Sequence, residues 1–274
     1  MAGLNQAEAV CRERAAPPGA GLYYATRHHP EAVQQRLHAL FALYFEVLDV
    51  FLLGVDPGVT QIKLQWWREE LQRLQAGEPR HPITRELARA LQPDAAAQAT
   101  LSVLPDAVAL LFIQDETEDL PAWRENPGLD AFWQLAVSAA GGSPPILSSA
   151  TLLARLEQLQ YLRLLLRMGY RPLPRDLLQA HGLHVEALLE NPAADPVKAL
   201  LAELVEAIRS GLDQAYREQR RRLPLFAAVL NRLGAATCEE IRRDGHALLQ
   251  RRVALTPLRR LWIATRTRYA RHLP

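Results

Sequence analysis

The 274-residue sequence predicts an all-α fold, and we expect one domain that spans residues 1–274. Apolar residues recur at spacings of three and four along several long segments, which is the period of a helix that buries one face. Alternation of apolar and polar residues at a period of two, the pattern of a half-buried strand, never extends beyond a few residues. The chain is also long enough to enclose a sizeable core. A single-domain helical bundle is therefore expected.

The composition argues against several classes of protein. The formal net charge of +2 is too small to predict a nucleic-acid partner, and no Rossmann or Walker pattern is present. Cys11 and Cys238 lie far apart and outside any CxxC pattern, so we expect neither a zinc site nor a disulfide. No apolar run reaches the roughly 18 residues of a transmembrane helix, and the first residues lack a signal sequence. We expect a cytoplasmic protein, with peripheral membrane contact left open.

Two helices separated by a turn form the most informative part of the sequence. Apolar residues between positions 37 and 52 share one helical face. Glu46 and Asp49 lie three residues apart in this helix, so both can point to one side. The Asp-Pro-Gly sequence at 56–58 predicts the turn. A dense block, WWREEL (66–71), then falls on the second helix.

Further helices are predicted along the rest of the chain, at residues 1–16, 84–91, 94–120, 129–140, 152–168 and 197–223. Pro105 is expected to break the third of these helices or to lie in its first turn. Residues 121–128 are expected to form a loop. A solvated helix end is favoured over a metal site for the acids Asp115, Glu116, Glu118 and Asp119.

Several blocks resemble the squalene/phytoene synthase family, the head-to-head prenyl transferases. They are ALFALYFEVLDVFLL (39–53), KLQWWREEL (63–71), the His-Pro-Ile turn (81–83) and IRRDGHALLQRRVALTPLRRLWIAT (241–265). The resemblance runs patchily from about residue 8 to about residue 268. It implies an isoprenoid-synthase-type helical bundle with a central cavity.

The resemblance also implies Mg²⁺ chemistry, in which two aspartate motifs on facing helices hold the ions that neutralise a diphosphate. Leu48 and Leu52 stand where the first motif has its aspartates, and Leu164 stands at the first aspartate of the second motif. Glu46 and Asp49 are then a vestigial first motif. No catalytic residue, metal ligand or cofactor is assigned, and Mg²⁺ is expected only if the chain is an active transferase.

One branch of the family lacks these aspartates as well. The segment LRLLLRMGYRPLPRDLLQAHGL (162–183) resembles the complex I assembly factor 6 group at least as well as it resembles the true synthases. This resemblance implies a non-catalytic protein that binds an isoprenoid, a lipid or a protein partner.

Two alternatives stay open. In the first, the chain is an active prenyl transferase whose metal ligands are relocated to Asp49, Glu46, Asp176 or the acids at 115–119. Four or more carboxylates at the mouth of one cavity would indicate this. In the second, the chain is a helical interaction scaffold whose cavity is filled, for example by Phe51, Leu52 and Leu166.

Candidate binding residues are expected as well. The expected cavity walls are Tyr24, Phe41, Leu48, Leu52, Trp67 and Leu164. A metal-free anion site is expected from Arg36, Lys63, Arg68, Arg163 and Arg171, provided that these side chains do not point to different faces. The arginines at 217–222 and 251–260 are interpreted as solvated helix faces, with contact to anionic lipid as the alternative.

Overall fold

The computed structural model describes residues 6–54, 56–113, 119–144 and 148–270, and every regular element within these ranges is helical. The helices of the first half are α1 (Gln6–Ala15), α2 (Gly21–Thr26), α3 (Glu31–Leu52), α4 (Pro57–Gln75), α5 (Pro82–Glu86) with a following π turn (Leu87–Leu91), α6 (Ala95–Ile113), α7 (Leu120–Trp123) and α8 (Pro127–Ala139). The helices of the second half are α9 (Ala150–Gln160), α10 (Leu162–Arg167), α11 (Arg175–Ala180), α12 (Val185–Glu190), α13 (Asp195–Gln219), α14 (Leu225–Arg243) and α15 (Pro257–Ala270). The all-α prediction is confirmed, whereas the single domain stays a prediction.

Helix α3 lies at the centre of the main core. It packs against α1, α4, α5, α6 and α8. Leu37, Leu40 and Leu43 are fully buried, as the apolar pattern predicts. The ring of Phe51 stacks on that of Phe112 from α6, with 4.7 Å between the ring centres. A second buried cluster lies between α9, α13 and α14, and the partly buried Leu153 packs against both clusters.

The turn between α3 and α4 forms where the sequence predicts it. Asp56 caps α4, because its Oδ1 accepts hydrogen bonds from the backbone N–H groups of Gly58 (2.6 Å) and Val59 (3.3 Å). A Cβ at Gly54 would lie 2.4 Å from the Val50 carbonyl oxygen. Only glycine therefore fits this close approach of the turn to the end of α3.

Three expectations need correction. Helix α6 continues through Pro105, because burial of the surrounding leucine and valine side chains outweighs the lost backbone hydrogen bond. The helix expected over 152–168 is interrupted at Tyr161. The hydroxyl of Tyr161 accepts a hydrogen bond from Arg252 Nη1 at 2.8 Å. The loop expected over 121–128 contains most of α7. Asp119 caps this helix, because its Oδ1 accepts a hydrogen bond from the Ala122 N–H at 2.8 Å. The acids at 115–118 lie outside the described residues.

Within the described ranges, α6 is long and apolar enough to cross a membrane by length and composition alone. Half of the window Ala95–Phe112 is buried inside the protein. A helix buried in a protein core can have the same length and apolar composition as a membrane-spanning helix.

A buried carboxylate ties α4 to α5. Glu70 is fully buried, and its Oε1 accepts hydrogen bonds from the backbone N–H groups of Arg80 and His81, each at 2.7 Å. The Thr84 hydroxyl donates to the same oxygen, and Arg73 Nε donates to Oε2 at 2.8 Å. Burial by itself would raise the pKa of Glu70, but these hydrogen bonds outweigh it and hold the pKa below its ordinary value of 4.5.

We expect Glu70→Gln to lower the free energy of unfolding by about 2 kcal/mol at neutral pH, because the amide lacks the negative charge that strengthens these hydrogen bonds and turns an NH2 donor towards the Arg73 Nε–H group. The pKa of Glu70 is lower in the folded chain than in the unfolded one. The carboxylate therefore stabilises the fold above pH 4.5, and this contribution is lost as the pH falls through the folded-state pKa. Urea unfolding of both proteins over a pH series measures the difference.

The matched control is Glu69→Gln, since Glu69 is the exposed neighbour whose side chain accepts a hydrogen bond from Gln65 Nε2 at 3.1 Å. This variant should unfold like the wild type at every pH. A constant difference between Glu70→Gln and the wild type down to strongly acidic pH would contradict the proposed role of the carboxylate.

Candidate functional site

A cavity of about 310 Å³ lies beside α3 and is enclosed by α8, α9 and α14. The start of α2 and the segment 252–255 before α15 complete its wall. Its larger apolar and aromatic lining residues are Leu22, Phe41, Tyr44, Phe45, Leu129, Phe132, Trp133, Leu153, Leu156, Leu230, Leu233 and Leu255. A space with such walls suits a hydrocarbon or another apolar group.

The cavity has one polar end. Glu157 and Gln160 reach it from α9, Arg252 from the segment before α15, and Arg260 from α15. Arg252 Nη2 lies 3.5 Å from Glu157 Oε1, and its guanidinium also stacks on Tyr161 at 4.0 Å from the ring centre. This end combines two positive charges with one carboxylate.

Both the cavity walls and the neighbouring charges shift the pKa of Glu157. Burial among the cavity walls raises the pKa of Glu157, and the charge of Asp49 adds to this effect. The guanidinium groups of Arg252 and Arg260 act in the opposite direction without cancelling it. Although 42% of the side chain is accessible, the side chain lines the cavity, so neighbouring apolar groups desolvate it. Asp49 therefore lies close enough to this end to act on it electrostatically.

Two hydrogen-bond donors in the cavity wall lack a partner within the described part of the chain. They are Nε1 of Trp133 and Nε2 of Gln160, on side chains that are almost completely buried. The Oε1 atom of Gln160 is used, since it accepts from the Val253 N–H at 3.0 Å. Unpartnered buried donors are uncommon, and at a cavity wall they can bind an oxygen atom of a ligand.

An arginine that sequence reasoning missed binds both acids of the vestigial first motif. Arg14 Nε lies 2.6 Å from Glu46 Oε1, and Arg14 Nη2 pairs with Asp49 Oδ2. The same Nη2 donates to the Phe45 carbonyl at 2.8 Å. Ala15 and Phe45, next in sequence to Arg14 and Glu46, line the cavity, so the cluster adjoins it. The sequence signal was only a basic last turn of α1.

These residues do not fit the Mg²⁺ ions that the resemblance implies. Glu46 and Asp49 already share one guanidinium, while Leu48 and Leu52 are buried among apolar groups. Across the residues that the structure describes, no group of three or more His, Cys, Asp or Glu side chains is arranged to hold a metal ion. Mg²⁺ needs several free oxygen ligands, and Glu46 and Asp49 do not supply them.

Of the six expected cavity residues, Phe41 lines the cavity. Tyr24, Leu48, Leu52 and Trp67 are buried in the core and do not line the cavity. Leu48 and Leu52 lie on nearly the same face of α3 as Phe41, but seven and eleven residues further along the helix, whereas the cavity meets α3 at Phe41, Tyr44 and Phe45. Leu164 is 42% exposed, since the interruption at Tyr161 sets α10 apart from α9.

The expected anion site is not assembled at the cavity, because none of its five cations lines the cavity. Arg68 pairs with Asp106, and Arg171 lies 3.3 Å from Glu186. Lys63 and Arg163 are exposed, and Arg36 is half-buried on α3. Lys63 and Arg68 are five residues apart, so they project from α4 about 140° from each other. The cations at the cavity are instead Arg252 and Arg260.

Known structures share this architecture. A dehydrosqualene synthase solved in complex with a ligand is 15% identical, and the alignment covers 98% of each chain with a TM-score of 0.76. The squalene synthase HpnC from Alicyclobacillus acidocaldarius is 18% identical, with 88% of this chain and 94% of that chain covered and a TM-score of 0.63. These similarities confirm the all-helical isoprenoid synthase fold.

Comparison with curated proteins gives no significant match. The family model for squalene/phytoene synthase matches residues 17–122 and 151–259, which is well over half of the chain. The match spans α3, α9 and α14, which contribute the Arg14-bound acids and much of the cavity wall. The chain therefore belongs to the squalene/phytoene synthase family.

Proposed function

We propose that the chain binds an isoprenoid- or lipid-like ligand in its cavity without Mg²⁺ and does not join prenyl diphosphates. The observation that carries this proposal is the double ion pair of Arg14 with Glu46 and Asp49 beside a cavity that is still present. The binding space is kept, while Glu46 and Asp49 beside it are already paired with Arg14.

The chemistry of prenyl transfer explains why this occupation matters. An allylic diphosphate ionises only when the charge of the leaving pyrophosphate is neutralised, and Mg²⁺ ions bridged between protein and phosphate oxygens supply that charge. The cluster of one arginine and two carboxylates carries a net charge of −1. It offers no surplus positive charge to a diphosphate and no free carboxylate pair to an ion. Binding is thus better supported than ionisation.

The cavity suits an amphipathic ligand. Its volume of about 310 Å³ lies at the lower end of the roughly 300–1,000 Å³ of small-molecule sites. Aromatic and leucine side chains would contact the apolar tail, and Arg252 and Arg260 would face an anionic or polar head. The free donors of Trp133 and Gln160 could bind a head-group oxygen.

A finer version of the proposal is an assembly role like that of the complex I assembly factor 6 group. Its support is the shared lack of the aspartates and the likeness of the segment 162–183. In this version a protein partner acts on the same scaffold, and the cavity ligand serves as a structural or sensing element.

An active transferase with relocated ligands is the second candidate, and one observation favours it. Asp49 lies close enough to Glu157 for its charge to raise the pKa of Glu157 at the polar end of the cavity. Asp176 gives no support, because it is exposed on α11 and its Oδ1 accepts from the Leu177 N–H. A scaffold with a filled cavity has less support still, since Phe51, Leu52 and Leu166 do not line the open space.

Incubation of the purified chain with farnesyl diphosphate, with and without Mg²⁺, tests the proposal. Calorimetry should detect binding in both conditions, and pyrophosphate release should be absent in both, because Arg252 and Arg260 bind the anionic head without an ion. Pyrophosphate release that requires Mg²⁺ would overturn the proposal in favour of the transferase. Neither binding nor release would favour the scaffold.

Arg252→Gln should weaken metal-free binding of farnesyl diphosphate by about tenfold, the loss expected for one charged hydrogen bond. Arg251→Gln is the matched control, since the neighbouring Arg251 pairs with Asp244 and does not line the cavity. Calorimetric titration of both variants gives the comparison. Equal affinities for the two variants would place the head group away from Arg252.

Arg14→Gln should lower the free energy of unfolding by about 1 kcal/mol, a modest loss because the three side chains are roughly one-third exposed. The added substitution Asp49→Asn should cost less in this background than in the wild type, since its partner is already gone. Urea unfolding of the wild type, the two single variants and the double variant gives a double-mutant cycle. Arg12→Gln, at an exposed position on the same helix, is the control. Strictly additive effects would show that the pair contributes no coupling.

A further inference from the structure

The outer face of α15 exposes three large apolar side chains. Leu258 is 78%, Trp262 58% and Tyr269 64% exposed. Their spacings of four and seven residues place them within about 40° of one another around the helix axis. The opposite side of the helix carries the buried residues Ile263, Ala264 and Thr267. The exposed residues therefore share one face of the helix, which we call the α15 stripe.

Arginines flank the α15 stripe on both sides. Arg266 lies about 60° from the middle of the stripe in one direction, and Arg268 about 100° in the other. The guanidinium of Arg266 sits 5.1 Å from the ring centre of Trp262. No acidic residue occurs anywhere in α15. Arg259 is not counted among these flanking arginines, because it forms an ion pair with Glu240.

Neighbouring segments add more arginines at the C-terminal end of the helix. Arg220 donates to the Ala270 carbonyl, which brings the turn with the exposed Arg221 and Arg222 to this end. Arg268 contacts His28 Nδ1 at 3.0 Å, so the exposed Arg27 also lies close by. The region around the α15 stripe thus presents at least five arginines: Arg27, Arg221, Arg222, Arg266 and Arg268.

The exposed apolar residues of α4 lack this charge pattern. On α4, Ile62 is 71% and Trp66 40% exposed. The adjacent Arg68 is neutralised by Asp106 from α6. Apolar exposure alone therefore does not distinguish the α15 stripe; its distinguishing feature is the combination of exposed aromatic and leucine side chains with a surrounding excess of positive charge.

We propose that the α15 stripe docks on an anionic lipid bilayer, with Leu258, Trp262 and Tyr269 entering the head-group layer and the five arginines binding lipid phosphates. Tryptophan and tyrosine favour this layer because their rings are apolar and their N–H and O–H groups remain hydrated. Arginine side chains add attraction to a negatively charged surface. The like charges spread around the stripe fit an extended anionic plane.

Docking of the α15 stripe would bring the cavity close to the membrane, and only the role of the cavity in this arrangement rests on the proposed function. Arg260, on the inner side of the same helix, lines the cavity, and the segment 252–255 leads from the cavity wall into α15. A docked α15 would hold the polar end of the cavity near the membrane surface. A lipid-like ligand would then have a short path between bilayer and cavity.

Sedimentation of the full chain with lipid vesicles, without any isoprenoid, tests the docking separately from the cavity. We expect binding to vesicles that contain phosphatidylglycerol to be at least about tenfold tighter than to pure phosphatidylcholine, and to weaken as salt is added. Leu258→Ser with Trp262→Ser should weaken binding by about tenfold or more, because both lost groups enter the head-group layer. Arg266→Gln with Arg268→Gln should also weaken binding and reduce its dependence on salt.

Ile62→Ser serves as the matched control, since it removes an equally exposed apolar side chain from α4. Circular dichroism verifies that each variant is folded. Equal loss in Ile62→Ser and in the α15 variants would overturn the proposal, as would equal affinity for both kinds of vesicle. Absence of vesicle binding, together with self-association that the α15 variants abolish, would overturn it in favour of a protein interface.

Discussion

Burial of α3 along most of its length constrains every polar group that it carries. A charged side chain inside such a helix must reach either solvent or an opposite charge. Glu46 and Asp49 lie where the helix is only partly covered, and Arg14 from α1 meets both of them there. The packing of α1 on α3 thus supplies the compensating charge, and it also places the cluster next to the cavity wall.

A guanidinium differs from a metal ion in ways that affect what this site can do. Arg14 is fixed to α1, carries a single charge and uses directional hydrogen bonds. A divalent ion could share its coordination between protein and ligand, whereas Arg14 Nη2 donates to Asp49 and to the Phe45 carbonyl while Nε forms an ion pair with Glu46. The cavity is left with hydrocarbon walls and one polar end, where Glu157 is the single acid among the lining residues that the structure describes.

The interruption of the α9–α10 region connects this polar end to the C-terminal part of the chain. Arg252 stacks on Tyr161 and binds its hydroxyl, while the Val253 N–H donates to Gln160. These contacts fix the segment that leads into α15. The last helix therefore has an inner side that contributes Arg260 to the cavity and an outer side with an exposed apolar stripe.

The sequence by itself determined the helical fold, the α3–α4 turn and the leucines at positions 48, 52 and 164, because periodicity, turn chemistry and residue identity are local properties. Tertiary structure alone decided that Arg14 binds Glu46 and Asp49, more than thirty positions away, and that Arg252 and Arg260 are the cations at the cavity. It also decided that Leu48 and Leu52 face the core and that Leu164 faces solvent. Which part of a buried helix meets a cavity depends on how its neighbours pack, and no single segment contains that information.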